Sequence, residues 1–284
     1  MSLVCKQLVL GLPGTGKTTF LAALWYLVVW GEVSTALRLD RLHGNREHLN
    51  RISNEWLSCR PVERTPIGSE TIVSMKLVAT DSGERTDVFF PDMSGELFNL
   101  QWKERKCSRA HYDLARDASG VLLFLHPGSV VEPVRIDDVS PIVEELAGVR
   151  AAGDPDEEGP RPWDPDRAPT QVKLVELLQF LVREPFAIPH LRVAVVVSAW
   201  DLLGGQAGSP ADWLAARLPL VQQYLRTNAE RYTARVYGVS AQGGDLRRDG
   251  ERLLREVAPA KRIVVVGDDT LPHDLTAPVR WVMG

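Results

Sequence analysis

The chain has 284 residues, of which 44% are hydrophobic and 25% are charged, and its formal net charge at pH 7 is -4. This composition is typical of a globular protein, and the absence of a net positive charge argues against a nucleic-acid partner. The three cysteines, Cys5, Cys59 and Cys107, form no C-x-x-C pair, so neither a disulfide framework nor a zinc site is expected and a cytoplasmic protein is favoured. The apolar run from Phe20 to Trp30 is too short for a membrane span.

The N-terminal third of the chain alternates between strand and helix patterns. The apolar run Leu8 to Leu10 precedes a glycine-rich loop, and Lys17 to Trp30 is long, apolar and free of glycine and proline. These features predict a strand, a loop and a helix. An extended segment from Ser34 to Leu42 and a helix from Asn45 to Arg60 are predicted next.

The middle of the chain begins with a predicted hairpin and ends with a predicted loop. Glu70 to Thr80 and Thr86 to Phe90 are rich in β-branched and aromatic residues and are separated by turn residues. A helix from Leu97 to Arg116 and a buried strand from Gly120 to Leu125 follow. Residues 151–170 hold five prolines and six acidic side chains, which predicts a mobile surface loop.

The C-terminal part continues the alternation and fixes the fold class. A helix over Gln171 to Glu184 and a strand over Leu191 to Val197 are predicted first. A helix then runs from the Ser209 cap to Tyr224, with a kink at Pro219. The last predicted elements are a strand over Tyr232 to Val239, an edge strand over Ile263 to Val266 and a closing helix over Leu275 to Val282. Alternating strands and helices predict an α/β protein whose mostly parallel sheet is covered by helices on both faces. Ligands bind at the carboxyl ends of the strands in such sheets.

A phosphate-binding loop follows the first predicted strand. Residues 11–18 match G-x-x-x-x-G-K-[ST], in which glycines let backbone N–H groups approach a polyphosphate at a helix N-terminus. Lys17 is expected to neutralise the terminal phosphates and Thr18 to offer its hydroxyl to Mg²⁺. The residues predicted to contact the nucleotide here are Pro13, Gly14, Thr15, Gly16, Lys17, Thr18 and Thr19.

The acid that assists magnesium binding distinguishes the classes of phosphate-loop protein. An AAA+ ATPase needs adjacent acids after a strand, and Asp268-Asp269 is the best-placed pair here. Asp92-Met93-Ser94-Gly95 at the end of the Val88 to Phe90 strand instead resembles the D-x-x-G element of Ras-like and translation-factor GTPases. There Asp92 would hold Mg²⁺ and the Gly95 N–H would sense the γ-phosphate, although Asp92 could also be a helix N-cap. Glu96 stands where many of these GTPases have a water-positioning glutamine.

Two further elements resemble the guanine-recognition motifs of the same GTPases. Ser198-Ala199-Trp200-Asp201 aligns with N-K-x-D, and only the aspartate is retained. The Asp201 carboxylate would accept hydrogen bonds from guanine, although it could also cap the following turn. Ser240-Ala241-Gln242 resembles the S-A-K element, whose backbone contacts the base. The four elements occur along the chain in the order found in the family.

The switch segment should precede the strand that ends at Asp92. Thr65 is the predicted switch threonine and magnesium ligand, with Thr71 as the alternative. Arg64 could act as an arginine finger in cis, or it could be a solvated loop cation.

The whole chain resembles the bacterial double-GTPase group of the TRAFAC class. Leu37-x-Leu39, Asn50-Arg51-Ile52, Trp56-Leu57, Arg64-Thr65 and the closing Asp274 to Trp281 carry this resemblance. It implies a single GTPase domain over 1–284, with the three-layer P-loop NTPase sandwich, one antiparallel hairpin strand, and a strand-helix insertion at 34–60 before the switch. It also implies GTP or GDP and Mg²⁺ as ligands.

Three functions are compatible with these motifs. The first is a GTPase switch that acts on a protein effector or regulator, with a nucleotide-dependent dimer as an option. The second is a nucleotide kinase that uses Lys103, Arg105, Arg109 and Arg116 as a lid, although these cations could equally form a solvated helix face. The third is a pseudo-GTPase that binds nucleotide without hydrolysing it and serves as an interaction module.

Overall fold

A computed structural model describes residues 5–41, 46–62, 72–91, 101–133, 164–206 and 208–284. In this part of the chain, eight strands form one sheet in the order β2-β3-β4-β1-β5-β6-β7-β8. The strands are β1 (Cys5–Gly11), β2 (Leu37–Arg41), β3 (Ile72–Ala79), β4 (Arg85–Pro91), β5 (Gly120–Leu125), β6 (Leu191–Ser198), β7 (Tyr232–Ser240) and β8 (Val264–Val266). The helices are α1 (Lys17–Trp30), α2 (Arg46–Leu57), α3 (Arg109–Ala115), α4 (Thr170–Val182), α5 (Pro210–Arg217), α6 (Pro219–Thr227), α7 (Leu246–Glu256), α8 (Pro259–Arg262) and α9 (Ala277–Met283).

The direction of the strands brings the predicted motifs to one edge of the sheet. Strands β4, β1, β5, β6 and β7 are parallel neighbours, so their carboxyl ends lie together. Strand β3 is antiparallel to both β2 and β4, which confirms the predicted hairpin. The expectation of a single antiparallel strand is wrong, because β8 also runs against β7. Its first residue pairs with Ser240 at the end of β7, so β8 starts at the carboxyl edge and runs back.

Apolar side chains on both faces of the sheet form two cores, which confirms the three-layer sandwich. One core packs α1, α2 and α9 against the sheet, and the other packs α3, α4, α5 and α6 against the opposite face. All six residues of β5 are buried because the strand lies in the middle of the sheet and is covered on both faces.

Helix α1 follows the phosphate loop and has the predicted bounds. It begins after Gly16 and ends at Gly31, whose φ of 62° is left-handed and whose N–H donates to the Leu27 carbonyl at 3.0 Å. Every residue from Phe20 to Leu27 is buried, which explains why the helix is apolar on all sides. The predicted insertion is present as β2 and α2, and α2 packs on α1.

Two predicted helices are interrupted in the structure. Residues 101–104 and α3 are helical, but residues 105–108 between them are not, and Arg105 has a φ of 57°. The helix that follows the Ser209 capping box is divided into α5 and α6 at Leu218, because Pro219 has no N–H and starts a new helix.

The predicted loop at 151–170 is shorter than expected at its C-terminal end. From Asp164 onward the chain packs on the protein, where the Trp102 indole N–H donates to the Pro165 carbonyl at 2.9 Å and Ala168 is fully buried. The earlier part, 151–163, lies outside the described residues.

Candidate nucleotide-binding site

The loop between β1 and α1 has the backbone that close approach of a ligand requires. Gly14 and Gly16 have φ values of 76° and 85°, in the left-handed region that favours glycine. The Gly16 carbonyl accepts the first helical hydrogen bond from the Phe20 N–H at 2.9 Å. Gly16 has no side chain with which to cap the helix, so an anion can satisfy the N–H groups of the first turn.

Lys17 is held across this loop by backbone carbonyls. Its Nζ donates to the carbonyl oxygens of Gly11 and Leu12 at 2.8 and 2.9 Å. The buried Thr15 hydroxyl donates to the same Leu12 oxygen at 2.8 Å. These bonds fix the ammonium beside the start of α1, where it can meet phosphate oxygens. Pro13 and Gly14 are exposed, and Lys17, Thr18 and Thr19 are half-buried.

A cavity of about 370 Å³ connects the phosphate loop to the ends of β6 and β7, which is a size suited to a small ligand. Its lining from the predicted motifs is Gly14, Gly16, Thr19, Ser198, Ala199, Asp201, Ala241 and Gln242. Both predicted guanine-recognition elements therefore line the same cavity as the phosphate loop.

The end of β6 both supports the phosphate loop and presents a carboxylate. The buried Ser198 hydroxyl donates to the Leu125 carbonyl of β5 at 2.9 Å. A Cβ added at Gly16 would lie 3.2 Å from the Ser198 Cβ and Oγ, so the two residues are in contact. Asp201 is exposed at the cavity, and its carboxylate makes no hydrogen bond or ion pair within the described ranges. It is therefore not a cap for the following turn.

The end of β7 forms a turn that places Ala241 at the cavity. The Ser240 hydroxyl accepts the Gly243 N–H at 3.0 Å, and Ser240 is only 1% exposed. The Ser240 side chain thus shapes the turn, and the expected contact of this segment's backbone with the base stays a prediction. Gly243 has a φ of 87°, and an added Cβ would lie 2.4 Å from the Arg262 carbonyl oxygen, so glycine is required there.

The inserted helix α2 supplies a cavity wall that sequence reasoning missed. The Trp56 indole N–H donates to the Ala241 carbonyl at 2.9 Å, and the Gln242 side-chain amide lies 3.5 Å from the Trp56 carbonyl. The residues just after α2 that line the cavity are Arg60, Pro61 and Val62. No local pattern reveals this contact, because it joins residues 185 positions apart.

His126, also missed, lines the cavity at the end of β5. Its Nδ1 accepts the Gly128 N–H at 3.0 Å. Burial lowers the pKa of His126, and the nearby negative charge of Asp201 opposes that shift only in part. Because Nδ1 accepts this hydrogen bond, the neutral ring carries its proton on Nε2.

Several predicted residues lie outside the described part of the chain, namely Arg64, Thr65, Thr71, Asp92, Gly95 and Glu96. Their roles remain predictions. The strand that precedes Asp92 is β4, which is the parallel neighbour of the strand that precedes the phosphate loop. Within the described ranges, no group of three or more His, Cys, Asp or Glu side chains could hold a metal ion.

The structure does not support the residues proposed for two alternative classes of protein, the AAA+ ATPase and the nucleotide kinase. Asp268-Asp269 follows β8, which runs away from the carboxyl edge, and Asp269 lies near Arg235 rather than at the phosphate loop. The pair therefore cannot serve as the magnesium acids of an AAA+ ATPase. The cations proposed as a kinase lid form surface ion pairs, which are Lys103–Asp166, Arg105–Glu176, Arg109–Asp113 and Arg116–Asp117.

The sheet order, the phosphate loop and the shared cavity define a P-loop nucleotide-binding protein. The family model Double-GTPase 1 matches residues 8–282. The chain belongs to this family and is a GTP-binding protein.

Several solved GTPase structures match the chain at low similarity. The signal recognition particle receptor SRb-GTP/SRX complex from Chaetomium thermophilum is 13% identical with a TM-score of 0.40, and the match covers 90% of this chain and 97% of that one. The GTP-bound Ski7 GTPase-like domain of S. cerevisiae is 17% identical with a TM-score of 0.40 over 86% of this chain and 44% of that one. No curated protein matches the chain. None of the helices in the described ranges has the length and hydrophobicity of a membrane span.

Proposed function

We propose that the chain is a Mg²⁺-dependent GTP hydrolase of the cytoplasm that works as a molecular switch for a protein partner. The observation that carries this proposal is the cavity that Gly14, Gly16 and Asp201 line together. A phosphate loop and an unpaired carboxylate that line one cavity suit a nucleotide whose base donates two hydrogen bonds, as guanine does.

The chain's own groups divide the chemistry between them. Lys17 would neutralise charge that develops on the transferred phosphoryl group, and it is already oriented by two carbonyls. Glu96 would orient the attacking water, and Arg64 would stabilise the transition state. Thr18, Thr65 and Asp92 would hold Mg²⁺, which supplies further charge neutralisation when bound. Loss of the γ-phosphate would release the segments at Thr65 and Gly95 and change the affinity for the partner.

Single-turnover hydrolysis of GTP tests this proposal. Wild-type protein should hydrolyse GTP only with Mg²⁺, and Lys17→Ala should lose roughly 100-fold or more of the rate, because charge-assisted contacts contribute about 1.5–3 kcal/mol each. Lys6→Ala is a matched control, since among the described residues the Lys6 side chain forms only an exposed ion pair with Asp117. Equal rates in wild type and Lys17→Ala would contradict the proposal and favour a nucleotide-binding interaction module.

A further inference from the structure

The two positions at which the related motifs carry a lysine beside the base have no lysine in this chain. Ala199 stands at the lysine position of N-K-x-D, and its side chain is a single methyl group. Gln242 stands at the lysine position of S-A-K, but its side-chain amide is directed at α2, 3.5 Å from the Trp56 carbonyl and 3.7 Å from the Cys59 sulfur. A purine has two broad apolar faces that bind best when they are covered. Gln242 lines the cavity with its amide held by these contacts, so neither element supplies a lysine stem to cover such a face.

The end of α2 is fixed next to this space by contacts from two other segments. Trp56 is fully buried and bonded to the Ala241 carbonyl, as described above. Arg262 is 4% exposed and donates to the Leu57 carbonyl at 3.0 Å. Cys59 then takes a φ of 50° and turns the chain toward the cavity. The backbone position of the next residue, Arg60, is therefore well defined.

Arg60 is a cation placed to meet a ligand. It lines the same cavity as Gly14, Asp201 and Ala241, and it is exposed. Its guanidinium makes no hydrogen bond or ion pair to any residue in the described ranges. A planar guanidinium stacks well on an aromatic face, and its methylene stem covers apolar surface.

We infer that Arg60, supplied by the insertion, packs against the guanine base and replaces the long side chain missing at Ala199. This inference rests on the proposed function, because it assigns a base-covering residue to the same nucleotide site. Arg60 is a base-covering residue whose contact is with the purine ring and not with the phosphates.

Binding of GTP and of GDP to three variants, with Mg²⁺ present, tests this assignment. Arg60→Ala should weaken both nucleotides by the same factor, about tenfold, as expected for loss of a cation–π contact. Arg60→Tyr should bind both within about threefold of wild type, because a neutral aromatic ring can also stack on the base. Arg46→Ala, an exposed arginine at the other end of α2, should bind as wild type does.

The alternatives give different results. A larger loss for GTP than for GDP in Arg60→Ala, with the same loss in Arg60→Tyr, would show a phosphate contact and overturn the inference. Unchanged affinity in Arg60→Ala, at an unchanged melting temperature, would also overturn it while leaving the proposed function intact. If the proposed function itself is wrong, the wild-type protein will not bind GTP at all.

Discussion

The phosphate end and the base end of the cavity are built in opposite ways. The phosphate end is one continuous segment, in which Lys17 bonds to carbonyls only five and six residues away. The base end is assembled from β6, β7 and the end of α2, and the Trp56–Ala241 bond spans 185 positions. The phosphate end therefore depends on local backbone geometry, whereas the base end depends on how distant segments pack.

Ser198 connects the phosphate end of the cavity to the base end. It is bonded to β5 and touches Gly16 of the phosphate loop, while Asp201 follows three residues later at the cavity. A change at this contact should affect both ends. A change at α2 should affect the base end alone.

The largest effect is expected from Gly16→Ala. A left-handed alanine costs about 1–2 kcal/mol, and the added Cβ would press on Ser198 at 3.2 Å. We expect a loss of more than about 2 kcal/mol in the free energy of unfolding and at least about a tenfold loss of GTP affinity. Gly83→Ala is the control, because Gly83 has a similar φ of 72° with open space around it.

Chemical denaturation and nucleotide titration of the two glycine variants measure this difference. Gly83→Ala should lose about 1 kcal/mol from backbone strain and bind GTP normally. Equal destabilisation of the two variants, with GTP affinity unchanged in both, would refute the contact between the two ends.

A smaller effect is expected from Trp56→Phe. It removes the indole donor to the Ala241 carbonyl, which should cost about 1–2 kcal/mol of stability and lower GTP affinity about threefold. Trp25→Phe is matched, because Trp25 is also buried and its indole N–H donates to the Asn50 side chain at 3.0 Å, away from the cavity. Chemical denaturation should show similar losses in the free energy of unfolding for the two variants. Isothermal titration should show weaker GTP binding in Trp56→Phe alone. Equal GTP affinity in the two variants would mean that α2 does not stabilise the base end of the cavity.

The sequence predicted the phosphate end because each of its requirements is local. Glycines at fixed spacing, a preceding apolar strand and a long apolar helix are all visible within 30 residues, and α1 has the predicted bounds. The order of the motifs at the ends of β6 and β7 was predicted for the same reason.

The remaining features depend on tertiary packing, which leaves no local pattern. Side-chain hydrogen bonds to carbonyls that are distant in sequence set the position of α2. The turn after β7, in which the Ser240 hydroxyl accepts the Gly243 N–H, buries the Ser240 side chain. Strand β8 runs antiparallel to β7, and no local pattern in its three residues indicates that direction. Helix α7 was not predicted, because it is strongly charged and contains Gly250 at its centre.

The most direct test of the account is a titration of the protein with labelled GTP and ATP in the presence of Mg²⁺. If Asp201 reads guanine in the cavity that begins at the phosphate loop, GTP should bind at least about tenfold more tightly than ATP, and Asp201→Asn should reduce that preference without weakening ATP. Equal affinity of the wild-type protein for the two nucleotides would contradict the account.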